Sequence, residues 1–160
     1  MGVDELSNAL WQERELLETL LFKLEEEELV IAQGRTRWLA RAAREVELVL
    51  ERMREAEVGR AIDAQGVARE LGLADGASLL EIAAAAPEPW SEMLRGHHLA
   101  LSAVTAEIAT LSHSNHELLQ QTLQATREAL LGLEATASEY DTKGGTRTAP
   151  NGSFMLDQDI

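Results

Sequence analysis

The sequence has no cysteine, which removes disulfides, thiolate metal ligands and cysteine nucleophiles together. It also fits a reducing compartment. Aromatic residues make up only 4% of the chain and there are three prolines, so the apolar mass is mostly Leu and Ala. No apolar run approaches the ~20 residues that span a bilayer, and membrane insertion is not expected. Basic residues are outnumbered 28 to 14, a formal charge of −14. Nucleic acid and anionic membrane surfaces attract clustered Lys and Arg, so neither is an expected partner. The start, Met1-Gly2-Val3-Asp4-Glu5, is acidic and lacks the basic and apolar regions of a signal peptide, so a cytoplasmic protein is expected.

What remains is a set of strong helix formers. Leu, Ala, Glu and Arg lose little side-chain freedom in a helix, and long helices are the default for such a chain. At 160 residues it is long enough for one domain but not comfortably for two. Val3, Leu6, Leu10, Leu17, Leu20, Leu24 and Ile31 recur at alternating spacings of three and four, interrupted by Glu13 and Glu27. This predicts an amphipathic helix over about 4–32, close to a coiled-coil seam. Gly34 suits the left-handed residue that ends a helix, and Thr36 suits the cap of the next. The second helix is expected over about 36–60, with Leu39, Ala42, Val46, Val49, Leu50, Met53 and Ala56 as its stripe.

Residues 1–32 hold nine acids and two bases, whereas 35–60 hold five acids and seven bases. An antiparallel hairpin follows if the chain reverses at Gly34, with Glu25 to Glu28 opposite Arg41 and Arg44. The alternative is one bent helix with solvated charges. Residues 61–88 contain glycines and Pro87 and read as a short helical connector. It has one helix over Val67 to Leu71, stopped at Gly72, and a second opened by a capping box at Ser78-Leu79-Leu80-Glu81. A third long helix is expected over 89–138, with Leu94, His97, Leu101, Val104, Ile108, Leu111, Asn115, Leu118, Thr122, Ala125 and Ala129 as its seam. At ~48 residues it would be ~70 Å long, so part of it should project or meet a partner. The expected architecture is all-α: residues 1–140 as one coiled-coil-like helical domain, and 141–160 as a disordered tail whose Phe154, Met155, Leu156 and Ile160 are an alternative docking peptide.

Enzymatic readings are thin. His113 and His116 share a helix face, but two ligands do not make a zinc site, and His97 and His98 lie ~24 Å earlier along the same helix. The run Glu25-Glu26-Glu27-Glu28 points in four directions and cannot converge on one substrate, so it reads as a solvated face. No phosphate-binding loop or nucleophile elbow occurs. Neither catalysis, metal nor cofactor is expected. Asn115 stands where the third seam calls for Leu or Ile. Either it sets register from a buried position or a slightly rotated helix leaves it exposed.

The hairpin carries Leu16-Leu17, Leu20 and Leu24, an acidic stretch, Gly34, then Leu39, Val46, Leu50 and Arg60. A more specific segment is Leu111-Ser112-His113-Ser114-Asn115-His116-Glu117-Leu118-Leu119, followed by Tyr140 and the Gly144-Gly145 exit. In these features the chain resembles the FlgN family of flagellar export chaperones, in the form seen in actinobacteria. His116 stands where the family commonly has glycine. The resemblance covers about residues 5–145. It implies a cytoplasmic chaperone that binds the terminal helical segments of hook-associated, hook–filament junction proteins. It would keep them from aggregating and deliver them to the cytoplasmic domain of the flagellar type III export gate. On that reading Leu118, Leu119, Leu123, Leu130 and Leu133 are the expected client contacts, since core partners are weakest there, and Tyr140 is the expected gate-docking residue. A homodimer stays open. The competing reading is a self-associating coiled-coil scaffold without an export client.

Overall fold

The computed structural model of the chain describes residues 2–142. Among these, four helices and no strand occur: α1 (Val3–Ala32), α2 (Thr36–Glu70), α3 (Leu79–Ala85) and α4 (Trp90–Thr142). The chain divides into two units, Met1–Thr122 and Leu123–Ile160, with α4 contributing to both. Most of the expected tail, 143–160, lies outside the described residues.

α1 and α2 form the antiparallel hairpin. Gly34 adopts φ +64, which L side chains rarely tolerate. Around it the Arg35 N–H donates to the Val30 carbonyl and the Gly34 N–H to the Ile31 carbonyl, a Schellman closure of α1. Thr36 does not cap α2: Arg35 occupies the cap position without a side-chain bond, and Thr36 is already helical. α2 also runs past the expected end near Arg60, to Glu70, and absorbs the first connector helix. Gly59 and Gly66 each cost a helix interior about 1 kcal/mol. Burial of Val67 and Ala68 against Val3 and Leu6 offsets that, because tertiary packing supplies most helix stability. A second Schellman turn at Gly72, φ +71, ends the helix.

The capping box forms. Glu81 N–H donates to Ser78 Oγ, and Ser78 N–H donates to Glu81 Oε2 at 2.7 Å. The backbone amide and hydroxyl of Ser78 together hold the Glu81 carboxyl below the ordinary carboxylate range. α3 ends before Pro87, and α4 begins at Trp90 after a cis Glu88–Pro89 peptide. α4 continues through Gly132 to Thr142, beyond the expected end near 138.

The first unit holds two apolar clusters. At one end Val3, Leu6 and Leu10 of α1 meet Val67 and Ala68 of α2, Ile82 and Ala83 of α3, and Leu94 of α4. Further along, Leu20 and Leu24 pack on Val49, with Ile108 and Leu111 of α4 against them. Polar contacts fix the direction of α4. Ser7 touches His97, 90 residues on, and Leu24 touches Asn115, 91 residues on. A nearly constant offset means that α4, within this unit, runs parallel to α1 and in step with it.

Candidate partner-binding surfaces

The polar residues that break the apolar seams each find a specific partner. Asn115 is buried, at 5% exposure. Its Nδ2 donates to the Leu24 carbonyl at 2.9 Å and to Glu27 Oε2 at 3.2 Å, and two acceptors at one end fix the amide orientation. Thus Asn115 on α4 and Glu27 on α1, both anomalous in sequence, form one interhelical contact. Glu13, the other interruption of α1, lies 2.6 Å from Arg60 Nε on α2, as an ion pair without hydrogen-bond alignment. Burial pushes the Glu13 carboxyl up, Arg60 opposes that, and Glu57 adds to it. His97 is buried, its Nε2 lies 3.4 Å from Ser7 Oγ, and its ring packs edge-on against Trp11 at 4.9 Å. Burial, then the nearby charge of Arg14, lowers its pKa.

The flanking charges of the hairpin differ from expectation. Lys23 of α1 donates to Glu45 of α2 at 3.0 Å and to its neighbour Glu26 at 3.2 Å, while Arg41 donates within α2 to Glu45. In this pair the cation is on α1 and the acid on α2, the reverse of the expected pairing of Glu25 to Glu28 with Arg41 and Arg44, whereas Glu13 and Arg60 keep the acid on α1 and the cation on α2. Lys23, then Arg41, hold the Glu45 carboxyl below its ordinary range. Nor is the glutamate quartet a uniform solvated face. Glu26 serves Lys23, Glu27 serves Asn115, and Glu25 and Glu28 line a groove beside α4.

The expected client residues fall in two settings. Leu118 and Leu119 are half-buried in the first unit. In the second, the described residues 123–142 are all exposed, including Leu123 at 45%, Leu130 at 56% and Leu133 at 68%. Leu123, Leu130, Leu133 and Tyr140 are spaced by seven, three and seven residues and share one helical stripe. Tyr140 is 80% exposed. His113 pairs with Glu117 at 3.4 Å on the surface, and His116 is exposed, so its bulk at the usual glycine position is accommodated by solvent. Among the described residues no group of three His, Asp or Glu side chains is placed to hold a metal ion, and no helix is long and apolar enough to cross a membrane.

A family model described as FlgN protein matches residues 1–148, nearly the whole chain. The chain belongs to the FlgN family. No curated protein and no solved structure matches it significantly. Membership makes it, in general terms, a flagellar export chaperone from a family not known for catalysis. In this FlgN-family chain the Leu111–Leu119 segment holds the buried Asn115 contact and the half-buried Leu118 and Leu119. Sequence reasoning passed over Leu131, which is exposed beside that stripe, and Trp11, Phe22 and Leu29 of α1, which are also exposed. The last three lie eleven and seven residues apart, hence on one helical face, and their spacing was the available signal.

Proposed function

We propose that this chain is the cytoplasmic chaperone of hook-associated, hook–filament junction proteins. It shields their aggregation-prone terminal segments and delivers them to the cytoplasmic domain of the flagellar export gate. The observation that carries this reading is the row of leucines, Leu123, Leu130 and Leu133, left in solvent on a helix of an acidic FlgN-family chain. Exposed apolar side chains in register on a helix are what an amphipathic client helix needs for a groove-type contact. Ordering a disordered client carries an entropy cost, which keeps binding reversible enough for hand-over. Leu118 and Leu119 are further client contacts in this scheme, and Asn115 sets the register of α4 rather than touching the client. Tyr140 docks the gate.

The test is co-purification with hook-junction proteins. Leu119→Asp plus Leu123→Asp abolishes capture while circular dichroism stays helical; full capture by the folded variant would refute the assignment. Tyr140→Ala keeps client binding and lowers secretion, and normal secretion would remove the docking role. Light scattering tests the scaffold alternative. A monomer that becomes a one-to-one complex on adding client supports the chaperone, and a stable oligomer indifferent to client overturns it.

A further inference from the structure

A second surface lies within the first unit. Between α1 and α4 runs an open groove of about 650 Å³, lined by Leu21, Leu29, Ala106 and Leu111 and edged by Glu25, Glu28 and Glu107. From Leu21 to Leu29, as from Ala106 to Ser114, is about 12 Å of helix axis, room for two turns of a third helix laid alongside. The α4 wall is low because Ala106, Thr110 and Ser114 are small, so an incoming backbone can approach closely. Leu29, at 62% exposure, stands in solvent at one end of the floor, and Phe22, at 57%, lies about two turns earlier on α1, outside the groove lining.

Charge selects the occupant. The groove-lining residues include three carboxylates and no cation. Glu15 extends the same sign along α1 toward Phe22, while Glu18 is paired with Arg14 at 3.4 Å. The nearest α1 cation, Lys23, is already held by Glu26 and Glu45. A second copy of this chain carries −14 overall, so long-range repulsion opposes self-association. The chain's own end places Phe154, Met155 and Leu156 beside Asp157 and Asp159, the same sign again. We infer that the α1–α4 groove docks an amphipathic helix of another protein, apolar on the inserted face and carrying Lys or Arg along both of its edges. Leu21, Leu29 and Leu111 receive the apolar face; Glu25 and Glu28 meet one basic edge and Glu107 the other. This surface is separate from the leucines of residues 118–133, and its argument does not depend on them.

The experiment titrates the full chain into two fluorescent synthetic helices of about five turns that share a Leu face, one with Lys edges and one with Glu edges. The Lys-edged peptide binds and the Glu-edged peptide does not. Glu25→Gln with Glu28→Gln, and separately Ala106→Phe, which fills the floor without changing charge, each weaken binding roughly tenfold. Glu51→Gln with Glu55→Gln on α2 removes the same charge from exposed sites and changes binding less than about twofold. Methyl NMR shifts on peptide addition centre on Leu21, Leu29 and Leu111, which gives a readout should Ala106→Phe fold poorly. Equal losses from the α1 and α2 pairs would reduce the effect to net-charge attraction and overturn the inference. So would shifts that avoid the groove, or binding lost only in Leu119→Asp plus Leu123→Asp.

Discussion

Asn115→Asp keeps the shape of a buried side chain and inverts its chemistry. The native amide gives its hydrogens to the Leu24 carbonyl and to the Glu27 carboxylate. An aspartate there has no hydrogen to give and faces two acceptors, one of them charged. The bond to Leu24 is worth about 1 kcal/mol and the charge-assisted bond to Glu27 about 1.5–3 kcal/mol. At the 3.2 Å separation of the native contact, the new carboxylate repels Glu27 by about 1–5 kcal/mol between the dielectric limits of water and a protein surface. Glu27 is half-exposed, which favours the low end of that range. The expected total is about 3.5–5 kcal/mol, roughly 1 kcal/mol beyond the about 2.5–4 kcal/mol of Asn115→Ala, which loses the bonds but adds no charge. All three tryptophans, Trp11, Trp38 and Trp90, lie in the first unit, so fluorescence in urea reports on its unfolding. The stability order is then Asn, Ala, Asp, and Glu27→Gln restores about 1 kcal/mol of the Asp deficit by removing the repulsion. A stability for Asn115→Asp within about 1 kcal/mol of the parent, or no recovery with Glu27→Gln, would refute the argument that this pair joins α1 to α4.

Three other perturbations probe the same framework. The pKa of His97 is lowered in the folded chain, so the unfolded chain takes the proton first: stability is full above the ordinary histidine range and falls as the pH drops through it. Urea midpoints between neutral and mildly acid pH therefore decline, and His97→Leu flattens that decline; an unchanged slope would move its origin elsewhere. Arg60→Met strands the half-buried Glu13 carboxylate and costs about 1–3 kcal/mol at neutral pH. The loss shrinks as acid protonates Glu13, and Glu13→Gln in the same chain recovers most of it, both readable by urea denaturation. Gly34→Ala meets open space, so only the backbone at φ +64 opposes it, and a loss of about 1 kcal/mol is expected in thermal unfolding.

Much of the fold is legible because helices advertise themselves locally. The spacing of Leu6, Leu10, Leu17, Leu20 and Leu24 is the buried face of α1, and the left-handed Gly34 and the Ser78–Glu81 capping box sit where their residue types demand. The end of α2 is not legible, because Gly59 and Gly66 look like breakers until Val67 and Ala68 are seen packed on α1. Charge pairing is misread for a related reason. Net charge per segment says that two helices attract, but only the rotation of each helix decides that Lys23 rather than Arg41 crosses between them.

By itself, the sequence determined an acidic, all-helical chain, its turns, its apolar stripes and its resemblance to a chaperone family, since each follows from residues within a few turns of one another. Only the tertiary structure decided that α4 runs parallel to α1, that Asn115 reaches Glu27, and that a groove with an acidic rim stays open between those helices. Those features depend on contacts between residues about ninety positions apart, and a helical repeat records which face is apolar but not which neighbour covers it.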